Sequence, residues 1–288
     1  MPRHFILPIL LAALALVQTG CSASNAAKQT AALTPLDHLP ALKGDYFKIE
    51  STNVGRAFHI YVRYPEGYTD NTDKKYPIVY LLDGDSLFPI LASNHLFLHY
   101  DDKLPEAIVV GIAYGGFDPS VNKRGYDFSA PADDAREGQG GAPKFHAFLE
   151  NELLPTVENK YRIDAARRIL FGQSRGGYMI LYSAFTKPDL FWGRIATNPS
   201  FFPGKDFFYS AGKPSKRGDL KLIVASGEND HERKRELALE WRDHWEGRAG
   251  APWQTKLITI PGGTHAANST DAYRAGMRAI FGLDVPEK

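Results

Sequence analysis

The feature that most constrains this chain is Ile169-Leu170-Phe171-Gly172-Gln173-Ser174-Arg175-Gly176-Gly177-Tyr178. An apolar, strand-like run ends in a tight Gly-x-Ser-x-Gly turn. It passes directly into Tyr178-Met179-Ile180-Leu181-Tyr182, which reads as a buried helix. A serine at the apex of such a strand–turn–helix is the arrangement of a nucleophile elbow. The turn holds the serine backbone in a sparsely populated conformation and lifts its hydroxyl clear of the sheet. Glycines flank the serine because side chains there would collide with the neighbouring strand and helix. The N–H after the serine opens a helix, where unpaired donors can meet an oxyanion.

The surrounding pattern supports one large α/β domain. The run 76–82 and the run 107–112 are continuously apolar, as expected of strands covered on both faces. Residues 46–50 and 57–64 read as earlier, half-exposed strands, with Phe58, Ile60 and Val62 alternating with polar neighbours. A helix is expected around 94–100, and another over 145–160, bent or shortened by Pro155. Further strands fall within 191–197, 220–226 and 253–260, with helices over 233–247 and 272–281. Strands alternating with helices predict a mostly parallel central sheet with helices on both faces. The segment 113–141 is long for a connection and is expected to be functional or tied down by side chains.

The ends and the composition limit the function classes. The 34 Lys and Arg balance 33 Asp and Glu, which argues against nucleic acid and against a polybasic membrane patch. Residues 1–21 read as a signal peptide, with an apolar run over 5–17, and 22–40 as a flexible tether ahead of a domain at 41–288. The one cysteine, Cys21, follows Gln18-Thr19-Gly20. Its position resembles a bacterial lipobox, although Gln18 stands where that pattern has a branched aliphatic residue. The expectation is an exported protein, periplasmic or lipid-anchored through Cys21, with no intrachain disulfide. No cofactor is expected, because no cluster has metal-ligand spacing and no phosphate loop appears.

A serine needs a base. Chains with such an elbow carry serine, acid and histidine in that order, the histidine following the last strand. His265 in Pro261-Gly262-Gly263-Thr264-His265 occupies that place. The acid follows the preceding strand, in Gly227-Glu228-Asn229-Asp230, where two carboxylates compete. Asp230, three residues past the glycine, is far enough round the turn to point back and is preferred, although an N-cap for the next helix is its alternative role. The second oxyanion donor is expected after the run 76–82, at Asp83-Gly84-Asp85, as the N–H of Asp85 acting with that of Arg175.

With Tyr76-Pro77-Ile78-Val79-Tyr80-Leu81-Leu82-Asp83-Gly84, Arg124-Gly125-Tyr126-Asp127-Phe128, the elbow, and Gly262-Gly263-Thr264-His265 in this order, the chain resembles the putative esterase family of α/β-hydrolases over about 46–281. That family includes siderophore esterases of the enterochelin type, feruloyl esterases and mycolyltransferases. The resemblance implies an α/β-hydrolase fold with antiparallel N-terminal strands. It also implies Ser174, Asp230 and His265 as a triad, and a small-molecule ester as substrate. Arg124, Phe201 and Phe202 are candidate substrate contacts; an Arg124–Asp127 pair that only holds the loop and plain core packing of the aromatics are the alternatives. Siderophore ester hydrolysis is the sharpest expectation. Acyl transfer of the mycolyltransferase kind and a non-catalytic binding lipoprotein on the same fold are the other readings.

Overall fold

The computed structural model describes residues 39–248 and 250–283. The signal peptide, Cys21 and nearly all of the expected tether lie outside the described residues. A short 3-10 turn, Pro40–Leu42, leads into strands β1 (Gly44–Ser51) and β2 (Arg56–Arg63), which pair antiparallel from Gly44 opposite Arg63 to Ser51 opposite Arg56. There follow β3 (Tyr76–Leu81), α1 (Gly84–Asp102), β4 (Ile108–Ala113), α2 (Arg124–Asp127), α3 (Ala142–Phe148), α4 (Leu154–Lys160) and β5 (Ile163–Gln173). The chain then runs through α5 (Arg175–Thr186), β6 (Gly193–Thr197), β7 (Lys221–Gly227), α6 (Glu232–Trp245), β8 (Gln254–Ile260) and α7 (Ser269–Ile280).

Among the described residues the strands form one eight-stranded sheet in the order β1-β2-β4-β3-β5-β6-β7-β8. The β1–β2 and β2–β4 pairs are antiparallel, and every pair from β4–β3 onward is parallel. The period-2 geometry of strands divides the apolar residues between two cores. Ile78 and Tyr80 of β3, Leu170 of β5 and Val110 of β4 join the core that contains Phe145, Met179 and Trp241. Val79, Leu81, Ile169, Phe171 and Val109 join the opposite core, with Leu91, Tyr273 and Met277. Both faces are covered, which is why these strands read as unbroken apolar runs.

Two helices differ from expectation. The one expected near 94–100 is α1, nineteen residues from Gly84 to Asp102. Asp85, Ser86 and Pro89 give its first turns a turn-like composition, while Leu87, Phe88 and Leu91 bury its inner face. The helix expected over 145–160 neither stops nor breaks at Pro155. A five-residue π-helical segment, Leu149–Leu153, joins α3 to α4 immediately before it. A proline in an α-helix lacks the N–H and collides with the carbonyl four residues back; one widened turn relieves that conflict. Strand β5 begins at Ile163, well before the apolar run at 169–171, through a polar stretch that hides it.

The site's position follows from the strand order. From β3 the chain moves outward through α1 to β4, then returns past β3 to β5 on its other side. Helix α1 packs on one face and α5 on the other. Connections that leave neighbouring parallel strands in opposite directions open a crevice at the strands' carboxyl ends. The ends of β3 and β5 carry Asp83-Gly84-Asp85 and Ser174.

Candidate active site

Ser174 stands between β5 and α5 with φ 56° and ψ −108°, outside the regions non-glycine residues favour. Its N–H donates to the Thr197 carbonyl at 2.9 Å, and its carbonyl accepts from the Tyr178 and Ser200 N–H groups, each at 3.0 Å. These bonds hold the strained residue in place. The flanking glycines have a steric reason. A Cβ on Gly172 would lie 2.7 Å from the Gly176 carbonyl, and one on Gly176 would lie 3.0 Å from the Asp83 carboxylate.

His265, in the loop after β8, places Nε2 at 2.9 Å from Ser174 Oγ and Nδ1 at 2.8 Å from Asp230 Oδ1. A carboxylate only accepts, so the proton of a neutral imidazole sits on Nδ1, leaving Nε2 to accept from the serine hydroxyl. Asp230 is buried, and its Oδ1 also accepts the His231 N–H at 2.7 Å. Burial lowers the His265 pKa below its ordinary 6.5, against the opposing pull of the Asp230 charge. The imidazole is therefore a free base at neutral pH. Of the two competing carboxylates, only Asp230 meets the histidine. Glu228 accepts the Gly262 N–H at 2.8 Å, and its own N–H donates to the Ile260 carbonyl at 3.0 Å, so it shapes the loop instead.

The histidine loop is held by residues that the sequence reading did not single out for this purpose. The His265 carbonyl accepts from Gln173 Nε2 at 2.6 Å and from Asn198 Nδ2 at 2.8 Å. Asn198 Nδ2 also donates to the Thr264 carbonyl at 2.9 Å, and its Oδ1 accepts the Gly227 N–H at 2.7 Å. Buried after β6 in the left-handed conformation, at φ 43°, Asn198 ties the loops that carry acid and histidine to the end of β6. The signal in the sequence was Asn198-Pro199-Ser200 at a strand end, where asparagine tolerates positive φ.

On the β3 side, Arg175 and Asp85 fall in the first turns of α5 and α1, where main-chain N–H groups have no acceptor within the helix. The Asp85 side chain accepts from the N–H groups of Tyr114, Gly115 and Gly116 at 2.8, 2.7 and 3.0 Å, fastening the loop after β4. Arg124 pairs with Asp83, not with Asp127. Its Nε and Nη2 donate to the two Asp83 oxygens at 2.6 and 2.8 Å. Asp127 is fully buried, paired with Arg56 and accepting from Tyr114 Oη at 2.9 Å. A cleft of about 320 Å³ lies over Ser174, with Asp85, Phe117, Arg124 and His265 in its walls.

The aromatic candidates separate. Phe201 is 1% exposed and packs against Phe208 and Trp241, so it belongs to the core and is not available to a substrate. Phe202 is 46% exposed and lines a second cavity together with Arg136 and Arg175. No group of His, Cys, Asp and Glu suited to a metal ion occurs among the described residues.

Comparison with known proteins agrees with this architecture. The family model described as Putative esterase matches residues 51–281. The ferri-bacillibactin esterase BesA of Bacillus subtilis is 31% identical over 221 residues, which are 69% of this chain and 74% of that protein. The siderophore triacetylfusarinine C esterase of Aspergillus fumigatus is 29% identical over 227 residues, 73% of this chain and 76% of that protein. An IroE-like serine hydrolase from Shewanella oneidensis superposes with a TM-score of 0.70 at 24% identity, over 83% of this chain and 80% of that one. The shared fold is that of the α/β-hydrolases.

Proposed function

The chain belongs to the Putative esterase family, and on that premise we propose that it is a serine hydrolase of carboxylic esters that works through an acyl-enzyme on Ser174. The single observation that carries the reading is the placement of His265 between Ser174 and Asp230, at 2.9 and 2.8 Å. Ser174 Oγ attacks the ester carbonyl as His265 Nε2 takes the hydroxyl proton. Asp230 keeps Nδ1 protonated and stabilises the imidazolium that forms. The N–H groups of Arg175 and Asp85 stabilise the oxyanion; a donor in that role contributes about 10²–10³ in rate. The tetrahedral intermediate collapses with loss of the alcohol, which receives the proton from His265. Water, deprotonated by the same nitrogen, then releases the acid and restores Ser174.

The substrate class we propose is a siderophore ester. Support comes from relatives named for that activity. We further propose that residues 1–21 direct the domain out of the cytoplasm and that Cys21 anchors it to the envelope, a reading that rests on the leader sequence. The test of the substrate class is to incubate the domain with cyclic siderophore trilactones, ferric and iron-free, and to follow the linear hydroxy-acid products chromatographically, with Ser174→Ala as the blank. Product formation that depends on Ser174 supports the proposal. Intact trilactones beside rapid turnover of simple aryl esters would assign the enzyme to another ester.

A further inference from the structure

Arg175 follows the nucleophile in sequence, and its side chain is half-buried. Its Nη1 donates to Ser129 Oγ at 2.8 Å, and among the described residues no carboxylate lies within ion-pair distance of it. Arg136, in the loop before α3, shares with it a cavity of about 280 Å³ that Gln139, Ser200, Phe202 and Pro203 also line. Arg136 likewise has no ion-pair partner among the described residues. The one acidic residue in this cavity, Asp134, has its Oδ1 engaged by the Gly204 N–H at 2.7 Å. Lys234, half-buried on α6 and favoured by the nearby Asp230 charge, is a third cation near enough to repel Arg175. Burial and the charges of Arg124 and Arg136 all disfavour the Arg175 cation.

Holding the half-buried Arg175 cation beside like charges costs free energy unless an anion compensates it. The contrast with Arg124 is direct, because that residue is matched by Asp83. Among the described residues no carboxylate pairs in this way with Arg175 or Arg136. Ser200, which lines this cavity, donates its N–H to the main-chain carbonyl of Ser174, so the cavity borders the turn that carries the nucleophile. We propose that Arg175 and Arg136 form an anion subsite beside Ser174, which selects esters carrying a carboxylate. Guanidinium groups suit a carboxylate because their donors form a planar fork. Phe202, 46% exposed at the rim, offers an apolar face to the body that carries the charge. The inference names the substrate class of the site described above and rests on Ser174 being its nucleophile.

The test is a binding titration of the Ser174→Ala domain with benzoate and its neutral isostere benzamide, followed by NMR chemical shifts. Benzoate is expected to bind about tenfold more tightly, as for one charge-assisted hydrogen-bonded contact. The preference should weaken with rising salt. Arg136→Met, a change at an exposed position, and Arg175→Met are each expected to reduce the preference to about threefold or less on the same scale, with Arg175→Lys retaining more of it than Arg175→Met. Equal binding of the two probes, or a preference that survives both methionine variants, would overturn the subsite. An intact benzoate preference beside absent ester turnover by the Ser174 protein would leave the subsite standing and remove the hydrolase reading instead.

Discussion

The side-chain amide of Gln173 donates to the main-chain carbonyl of His265 at 2.6 Å, so the residue before the elbow serine fixes the histidine that faces it. Asn198 donates to the same carbonyl from the other loop. The base is thus held through its backbone, leaving both ring nitrogens for Ser174 and Asp230.

Removing one of these donors should loosen the histidine without unfolding the domain. Gln173→Met keeps the bulk and loses the donor, and is expected to lower kcat/KM about five- to tenfold, the value of one net hydrogen bond. Asn198→Ala goes further, because it also leaves the Gly227 N–H without its acceptor in a buried site. A stability loss of about 1–3 kcal/mol should appear in urea denaturation of that variant.

The two carboxylates after β7 should behave very differently. Asp230→Asn is expected to cost about 10⁴ in kcat, since an amide there favours the wrong imidazole tautomer. Glu228→Gln keeps an acceptor for the Gly262 N–H and touches no reacting group, so steady-state kinetics should show only a small change. Comparable losses in both variants would contradict the assignment of the acid.

Acidity should act on activity and stability at separate places. The base must be neutral, and burial lowers the His265 pKa, so kcat/KM is expected to fall on the acid side with a midpoint below 6.5. For stability the relevant groups are His95 and His146, both buried, with pKa values lowered to about 4 and about 3. Their folded-state values lie below the unfolded value of 6.5, so the unfolded chain binds more protons as the pH drops. Stability is therefore full above pH 6.5 and is lost as the pH falls through that value toward 4 and then 3. On the order of 1–2 kcal/mol per histidine should be lost between pH 7 and 5, measurable by denaturation at each pH.

The elbow tolerates no side chain two residues before the serine. In Gly172→Ala the new methyl would meet the first turn of α5 at 2.7 Å. Overpacking of this kind costs about 1–3 kcal/mol, and the displacement would fall on Ser174 itself. Loss of activity should exceed what the fall in Tm explains.

Local pattern made much of this legible. Ser174 sits in a five-residue signature, His265 in a glycine-rich loop after the last strand, and β3 and β4 are apolar throughout because both their faces are covered. What stayed hidden depends on partners distant in sequence. Asp127 pairs with Arg56 across 71 positions, and Arg124 reaches Asp83 across 41, so the neighbouring Arg124 and Asp127 suggested a pair that does not form. Phe201 and Phe202 are adjacent in sequence, yet one is core and the other rim, and the chain after Ser200 has no strand period that would mark which is which. The start of α1 was masked by Asp85 and Pro89, the former serving the loop after β4 through its carboxylate.

The most direct test of the central claim is covalent labelling of the domain from residue 22 onward with a fluorophosphonate, located by peptide mass spectrometry. The account predicts a single adduct on Ser174, absent from Ser174→Ala and strongly slowed in His265→Ala, in a protein that also hydrolyses p-nitrophenyl esters. A well-folded domain that takes up no label, or takes it up on another residue while hydrolysing esters, would contradict it.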